Sequence, residues 1–156
     1  VINHSLCILL GGGGQTLSLF FLYCNVRKKE IKKLDQALSK YVRFSNADKN
    51  GLTECYTCGC KKKPSELHNG HFVTRAKYST RWLYDVENNL YNCKPQCPKC
   101  NLFMQGMSWT FGNRLDQDYG EGSAEKIVLM SNQTRKFSTQ EIIEMRENYV
   151  QLFKEL

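Results

Sequence analysis

The chain has no apolar run long enough to cross a bilayer. Its nearest approach, Leu17 to Cys24, falls far short of the roughly 20 residues that a membrane helix needs, and glycines at 11–14 break any helix leading into it. No basic segment precedes that run, which argues against a signal peptide. Acidic residues are in deficit: 15 Asp and Glu against 22 Lys and Arg leave a formal charge of +7 and a pI near 9.0. Such a surface suits a polyanion, because Lys and Arg on phosphates release condensed counterions. At 156 residues the chain holds one domain with an appendage, and a second full domain is not expected.

Residues 1–27, with "CILLGGGGQTLSLFFLYC", differ in character from the rest of the chain and are expected to be an N-terminal extension outside the fold. In residues 28–50 the apolar positions Ile31, Leu34, Leu38, Tyr41 and Val42 recur at helical spacing, with lysines on the other face, which predicts a basic amphipathic helix. Those lysines serve either as a solvated face or as phosphate contacts. Residues 51–115 carry the chemistry, and residues 116–156 are expected to be helical. Ser138 and Glu141 form an S-x-x-E capping box ahead of a stripe of Ile142, Met145, Tyr149, Leu152 and Phe153, so that stripe is a packing face. Between Asn101 and there, short helices broken at Gly106 or Gly112 and a helix over "SAEKIVLMSN" are expected.

Eight cysteines admit a disulfide framework, scattered thiols or a metal site, and spacing separates these readings. Cys55-Tyr-Thr-Cys58 and Cys97-Pro-Lys-Cys100 form two C-x2-C knuckles that together supply four thiolates to a tetrahedral structural Zn²⁺. Gly59 after the first pair and Pro98 inside the second suit knuckle turns. Cys60 and Cys93 stand beside the pairs as substitute ligands or free thiols, and Cys7 and Cys24 are read as free thiols of a reducing cytosol.

Between the knuckles, "LHNGHFVTRAKYSTRW" and "ENNLYNCKPQCPKCN" have the polarity of a site. The order C-x2-C, Gly70-His71, Asn89-Leu90, C-x2-C-Asn101 looks like the HNH (ββα-metal) nuclease fold in its four-cysteine form. From about Lys33 to the end the chain resembles the phage NinG (Rap) recombination endonucleases. The fold so implied is α+β: a small zinc-stapled HNH-type domain flanked by helices. The activity implied is divalent-metal-dependent cleavage of DNA, on D-loops or Holliday junctions, in the cytoplasm of a bacterial host.

By position in that resemblance, His71 is similar to the general base, and a neutral imidazole suits that role. Asn89 matches the central asparagine that ties the loop together, with Asn88 one register away. Asn101 matches a metal-ligand position, where its amide oxygen would hold catalytic Mg²⁺ or Mn²⁺; the competing reading is a helix N-cap. Gly70 stands where many relatives of this type carry an acidic ligand, so the second ligand is sought at His68, with Glu66 and Asn69 as alternatives. Arg75, Lys77 and Arg81, and Lys61 to Lys63 near the first knuckle, are candidate contacts to the DNA backbone. Symmetric cutting of a four-way junction would call for a homodimer. Two rivals remain: an HNH enzyme of ordinary duplex, and a zinc-stabilised DNA-binding module without catalysis.

Overall fold

The computed structural model describes residues 15–156; Cys7 and the glycines at 11–14 lie outside them. Helix α1 spans Gln15–Ser45, so the helix expected over 28–50 begins earlier, runs across the boundary expected at 27–28, and ends sooner. At about 1.5 Å per residue it is roughly 46 Å long. Its stripe Leu34, Leu38 and Val42 is buried together with Trp82, Cys93, Phe137, Ile142 and Tyr149. Each such aliphatic side chain contributes about 1.5–3 kcal/mol on leaving water.

The C-terminal helix α4, Thr139–Lys154, supplies Ile142 and Tyr149 to that cluster. It starts where the capping box requires: Ser138 Oγ accepts from Glu141 N–H at 3.1 Å, and Glu141 accepts from Ser138 N–H at 2.6 Å. Arg146 on α4 meets Glu30 on α1 at 2.7 Å, and Lys33 reaches the same carboxylate at 2.7 Å. The two terminal helices thus pack along each other and clamp the middle of the chain.

That middle contains three antiparallel strand pairs. Strands β1, Thr53–Glu54, and β2, Lys61–Lys62, form the first knuckle hairpin. β3, His68–His71, pairs with β6, Cys93–Gln96, in a register that sets His68 opposite Gln96 and His71 opposite Cys93. Between them, β4, Tyr84–Asp85, and β5, Leu90–Tyr91, make a separate hairpin.

After β6 comes a five-residue π-helical turn, Lys99–Phe103, then a break at Gly106 (φ 80°), and then α2, Ser108–Tyr119, and α3, Ser123–Ser131. Gly112 breaks nothing. It lies inside α2, where a Cβ would come 2.9 Å from the Phe72 ring, so its absence lets the helix close on the segment just after β3. Phe111, Leu115 and Ile127 join Tyr56, Leu90 and Tyr91 in a second core cluster. Lys94 of β6 is buried there in a cage of tyrosines, its Nζ 3.8 Å from the centre of the Tyr91 ring and hydrogen-bonded to Tyr119. Burial lowers its pKa to about 8. Cys55, Leu67, Cys97 and Cys100 form a third cluster, with Cys60 and Met107 packed against it. This is the small α+β domain expected. Among the described residues no helix is long and apolar enough to cross a membrane.

Candidate functional site

The two cysteine segments meet in space. In the first, Gly59 at φ 74° turns the chain so that its N–H donates to the Cys55 carbonyl at 2.9 Å, while Cys55 N–H donates to the Cys60 carbonyl at 2.8 Å. In the second, Cys97 N–H donates to Cys55 Sγ at 3.2 Å, which welds the segments together. The sulfurs of Cys55, Cys58, Cys60 and Cys97 all lie within 4.8 Å of one another, and those of Cys58 and Cys97 are 3.9 Å apart. A tetrahedral site with Zn–S near 2.3 Å has sulfurs about 3.8 Å apart, so this cluster can hold a metal such as zinc with little movement.

Cys60 is the fourth cysteine within 4.8 Å of the others, while the expected Cys100 is buried beside it with its thiol against those of Cys58 and Cys97. The turn at Gly59 carries Cys60 inward, whereas Cys100 is buried in the same apolar cluster just outside the four. Burial alone would raise the Cys55 pKa, but the Cys97 N–H and the Thr57 hydroxyl more than offset it and bring it to about 6. Burial and the neighbouring Cys58 and Cys97 push Cys60 and Cys100 up to about 12. Cys93 is no substitute ligand: it is fully buried in the first core cluster, with Sγ 3.7 Å from the Arg81 carbonyl. No disulfide occurs among the described residues.

Beside the cluster lies a cavity of about 770 Å³ between α1 and β3, lined by Lys32, Asp35, Arg43, His68, His71, Arg75 and Asn101 among others. His68 Nδ1 and Asn101 Nδ2 are 3.2 Å apart. Asn101 sits within the turn that follows Cys97, and its N–H donates to the Cys97 carbonyl at 3.0 Å. Its side chain faces His68 and caps no helix. The two residues sought as a ligand pair are thus adjacent.

His71 Nε2 lies 3.1 Å from the Arg81 carbonyl. A carbonyl only accepts, so this nitrogen carries the proton and Nδ1 is the basic atom. Burial lowers the His71 pKa to about 4, against the opposing pull of the Arg81 carbonyl, and the imidazole is neutral at neutral pH.

Two expectations are corrected. Asn89 is exposed at φ 53° in the β4–β5 turn, and Asn88 merely closes that turn onto Asp85 at 2.8 Å. The loop-tying amide is Asn92, wholly buried: its Oδ1 accepts from Val73 N–H at 2.7 Å, and its Nδ2 donates to the Val73 and Thr80 carbonyls at 3.0 and 2.9 Å. The "NCKPQC" spacing, with one more Asn just ahead of β6, was the available signal. Second, Arg81 is not free for a phosphate. It forks onto Asp35 at 2.6 and 3.1 Å, and Trp82 Nε1 donates to the same carboxylate at 2.8 Å. Arg75 and Lys77 remain exposed, and Arg75 lines the cavity.

A small α+β domain, joined by a cysteine cluster that could hold a metal such as zinc and carrying a histidine- and asparagine-lined cavity beside it, defines the class among the described residues. The chain belongs to the bacteriophage lambda NinG protein family, whose model matches residues 23–156. The match starts within α1, ahead of the expected boundary at 27–28. No curated protein and no solved structure matches it.

Proposed function

We propose that this protein is an HNH-type, divalent-metal-dependent DNA endonuclease that acts in phage recombination on branched DNA such as D-loops or Holliday junctions. The observation that carries this reading is His71, a neutral imidazole with Nε2 held by the Arg81 carbonyl, in the same cavity as the His68–Asn101 pair. In the reaction, His71 Nδ1 takes a proton from water as its oxygen bonds to phosphorus, the P–O ester bond breaks, and the leaving oxygen takes a proton from solvent water. Asn92 acts as a positioning residue by holding the loop that follows His71. Lys32 and Arg75 give the cavity the sign that a phosphate requires.

A cation fits beside His68 and Asn101 on the chemistry of the donors. Side-chain amide nitrogen and oxygen exchange places by a half-turn, so His68 Nδ1 and the Asn101 amide oxygen, 3.2 Å from each other after that turn, would hold the ion between them. An imidazole and an amide, without a carboxylate, favour Mn²⁺ over Mg²⁺. Such an ion would supply charge neutralisation on the phosphate and leaving oxygen.

One observation favours a non-catalytic DNA-binding module instead: among the described residues Asp35 is the cavity's one carboxylate, and Arg81 and Trp82 already occupy it. Incubating the protein and its His71→Ala variant with Mn²⁺ or Mg²⁺ and linear duplex, single strands or a four-way junction decides. Junction-selective cutting lost in the variant supports the proposal. Equal cutting of linear duplex points to an ordinary duplex nuclease, and binding without cutting to the module.

A further inference from the structure

Four large apolar side chains between Cys100 and the first turn of α2 have no place in the three core clusters. Leu102 is 59% exposed, Met104 46%, and Phe103 and Trp109 82% each, the highest of the large apolar residues described. Burial would favour taking these rings out of water, so holding them out requires a rigid support.

The support is visible. Gln105, Gly106 and Met107 have φ of 51°, 80° and 49°, three successive left-handed residues of which two carry side chains, a strained conformation that the surroundings must impose. Gln96, wholly buried on β6, donates to the Gly106 carbonyl at 2.8 Å, and Met107 packs onto the cysteine cluster. A Cβ at Gly70 would lie 2.1 Å from Gln96 Oε1. One glutamine therefore ties the protruding segment to β6, the strand paired with the one that bears His71. Leu102, Gln105 and Gly106 also line the cavity beside His68 and Asn101.

We propose that Leu102, Phe103, Met104 and Trp109 form a stacking surface for unpaired bases of the nucleic acid whose backbone enters the cavity. Exposed aromatics next to a basic groove are what a single strand needs: rings take base faces while cations track the phosphates. The basic partners are Lys32 and Arg75 in the cavity and the exposed Lys99 at the foot of the protrusion. A second copy of this chain, itself at +7, would bring like charge to the same face. Bases inside an intact duplex cannot offer their faces, so the substrate must contain unpaired or splayed nucleotides beside the phosphate. This inference rests on the nucleic-acid reading proposed above.

The test uses the full zinc-loaded chain with Ca²⁺ in place of Mn²⁺, so that binding is read without turnover. Of the two tryptophans, Trp82 is 6% exposed and Trp109 82%, so Trp109 reports on its own surface. The probes are an oligothymidylate, a four-way junction with 2-aminopurine at the branch, and a linear duplex. Stacking is expected to quench Trp109 and 2-aminopurine emission. Phe103→Ala/Trp109→Ala should then weaken single-strand and junction binding by about tenfold or more, given roughly 5- to 150-fold per stacked base, with duplex affinity and zinc content unchanged. Equal loss on all three DNAs, no loss, or no DNA binding by the wild type overturns the inference. So does a wild-type dimer in sedimentation that the double variant fails to form, which would assign the face to a second copy. With Mn²⁺ then restored in a parallel reaction, a junction bound with quenching but never cut ends the nuclease reading and leaves the stacking surface standing; cutting with undiminished junction affinity in the double variant ends the stacking surface alone.

Discussion

Asn92 holds Val73 from both sides, accepting its N–H at 2.7 Å and donating to its carbonyl at 3.0 Å. A third bond to the Thr80 carbonyl, at 2.9 Å, closes the segment that leaves His71. At about 1 kcal/mol per bond, with buried backbone groups orphaned as well, Asn92→Ala is expected to cost on the order of 3 kcal/mol. Asn89→Ala should cost far less, and Asn89→Gly almost nothing, because glycine takes the left-handed turn freely. Urea denaturation of the zinc-loaded variants measures both; equal losses at the two positions would refute the role given to Asn92.

The contrast between these asparagines shows what a sequence of this kind conceals. The stripe Leu34, Leu38, Val42 and the Ser138–Glu141 box were legible because helix faces and caps are set within a few residues. The paired cysteines were legible because a thiolate cluster announces itself by short spacing, whereas His71 and Asn101 were picked out only through the family resemblance. In "ENNLYN", by contrast, three asparagines are locally alike, and only pairing with Val73 and Thr80 selects Asn92. Arg81 reads as a surface cation until Asp35, 46 positions earlier, takes its charge. Which of Cys60 and Cys100 comes within 4.8 Å of the other three sulfurs likewise depends on how two distant turns meet.

Arg81 and Asp35 form a half-buried fork, 16% and 22% exposed, that also anchors Trp82 in the main core. Arg81→Ala strands the Asp35 carboxylate and is expected to cost about 2–4 kcal/mol in stability. Arg75→Ala and Lys77→Ala, at exposed positions, should change stability by less than about 0.5 kcal/mol. On the DNA-binding reading, each should reduce the slope of log Kd against log salt by about 1. Thermal melts and salt titrations of the three variants separate the roles: an Arg81→Ala protein of wild-type stability would return that residue to the interface.

A metal held by the cysteine cluster would make stability depend on it. Stripping the metal with a strong chelator should leave clustered thiols with nothing to join them, and the melting temperature should fall sharply, recovering on addition of Zn²⁺. Cys55→Ser removes the sulfur that both turns hydrogen-bond and should abolish stoichiometric binding. Of the remaining pair, Cys60→Ser is expected to weaken zinc affinity by on the order of tenfold more than Cys100→Ser, since Cys60 is the one within 4.8 Å of the other three. Competition against a zinc indicator decides, and the reverse order would show that the ion draws Cys100 in.

His71 couples the site to acid stability. Its folded pKa, lowered by burial to about 4, lies below the roughly 6.5 of an unfolded histidine. Between those values the unfolded chain holds a proton that the folded one does not, so stability is full above about pH 6.5 and falls as pH drops towards 4, by on the order of 3 kcal/mol. His71→Gln removes that proton, so the stability difference between wild type and variant should change with pH over this window and nowhere else. For the proposed reaction the same shift means that the base is already deprotonated at about pH 6, and kcat/KM should show no inflection near 6.5 from this residue. Urea midpoints of both proteins from about pH 4 to 8 provide the measurement. A difference that stays flat with pH would mean that His71 is solvated and charged in acid, and the buried neutral base would then have no standing.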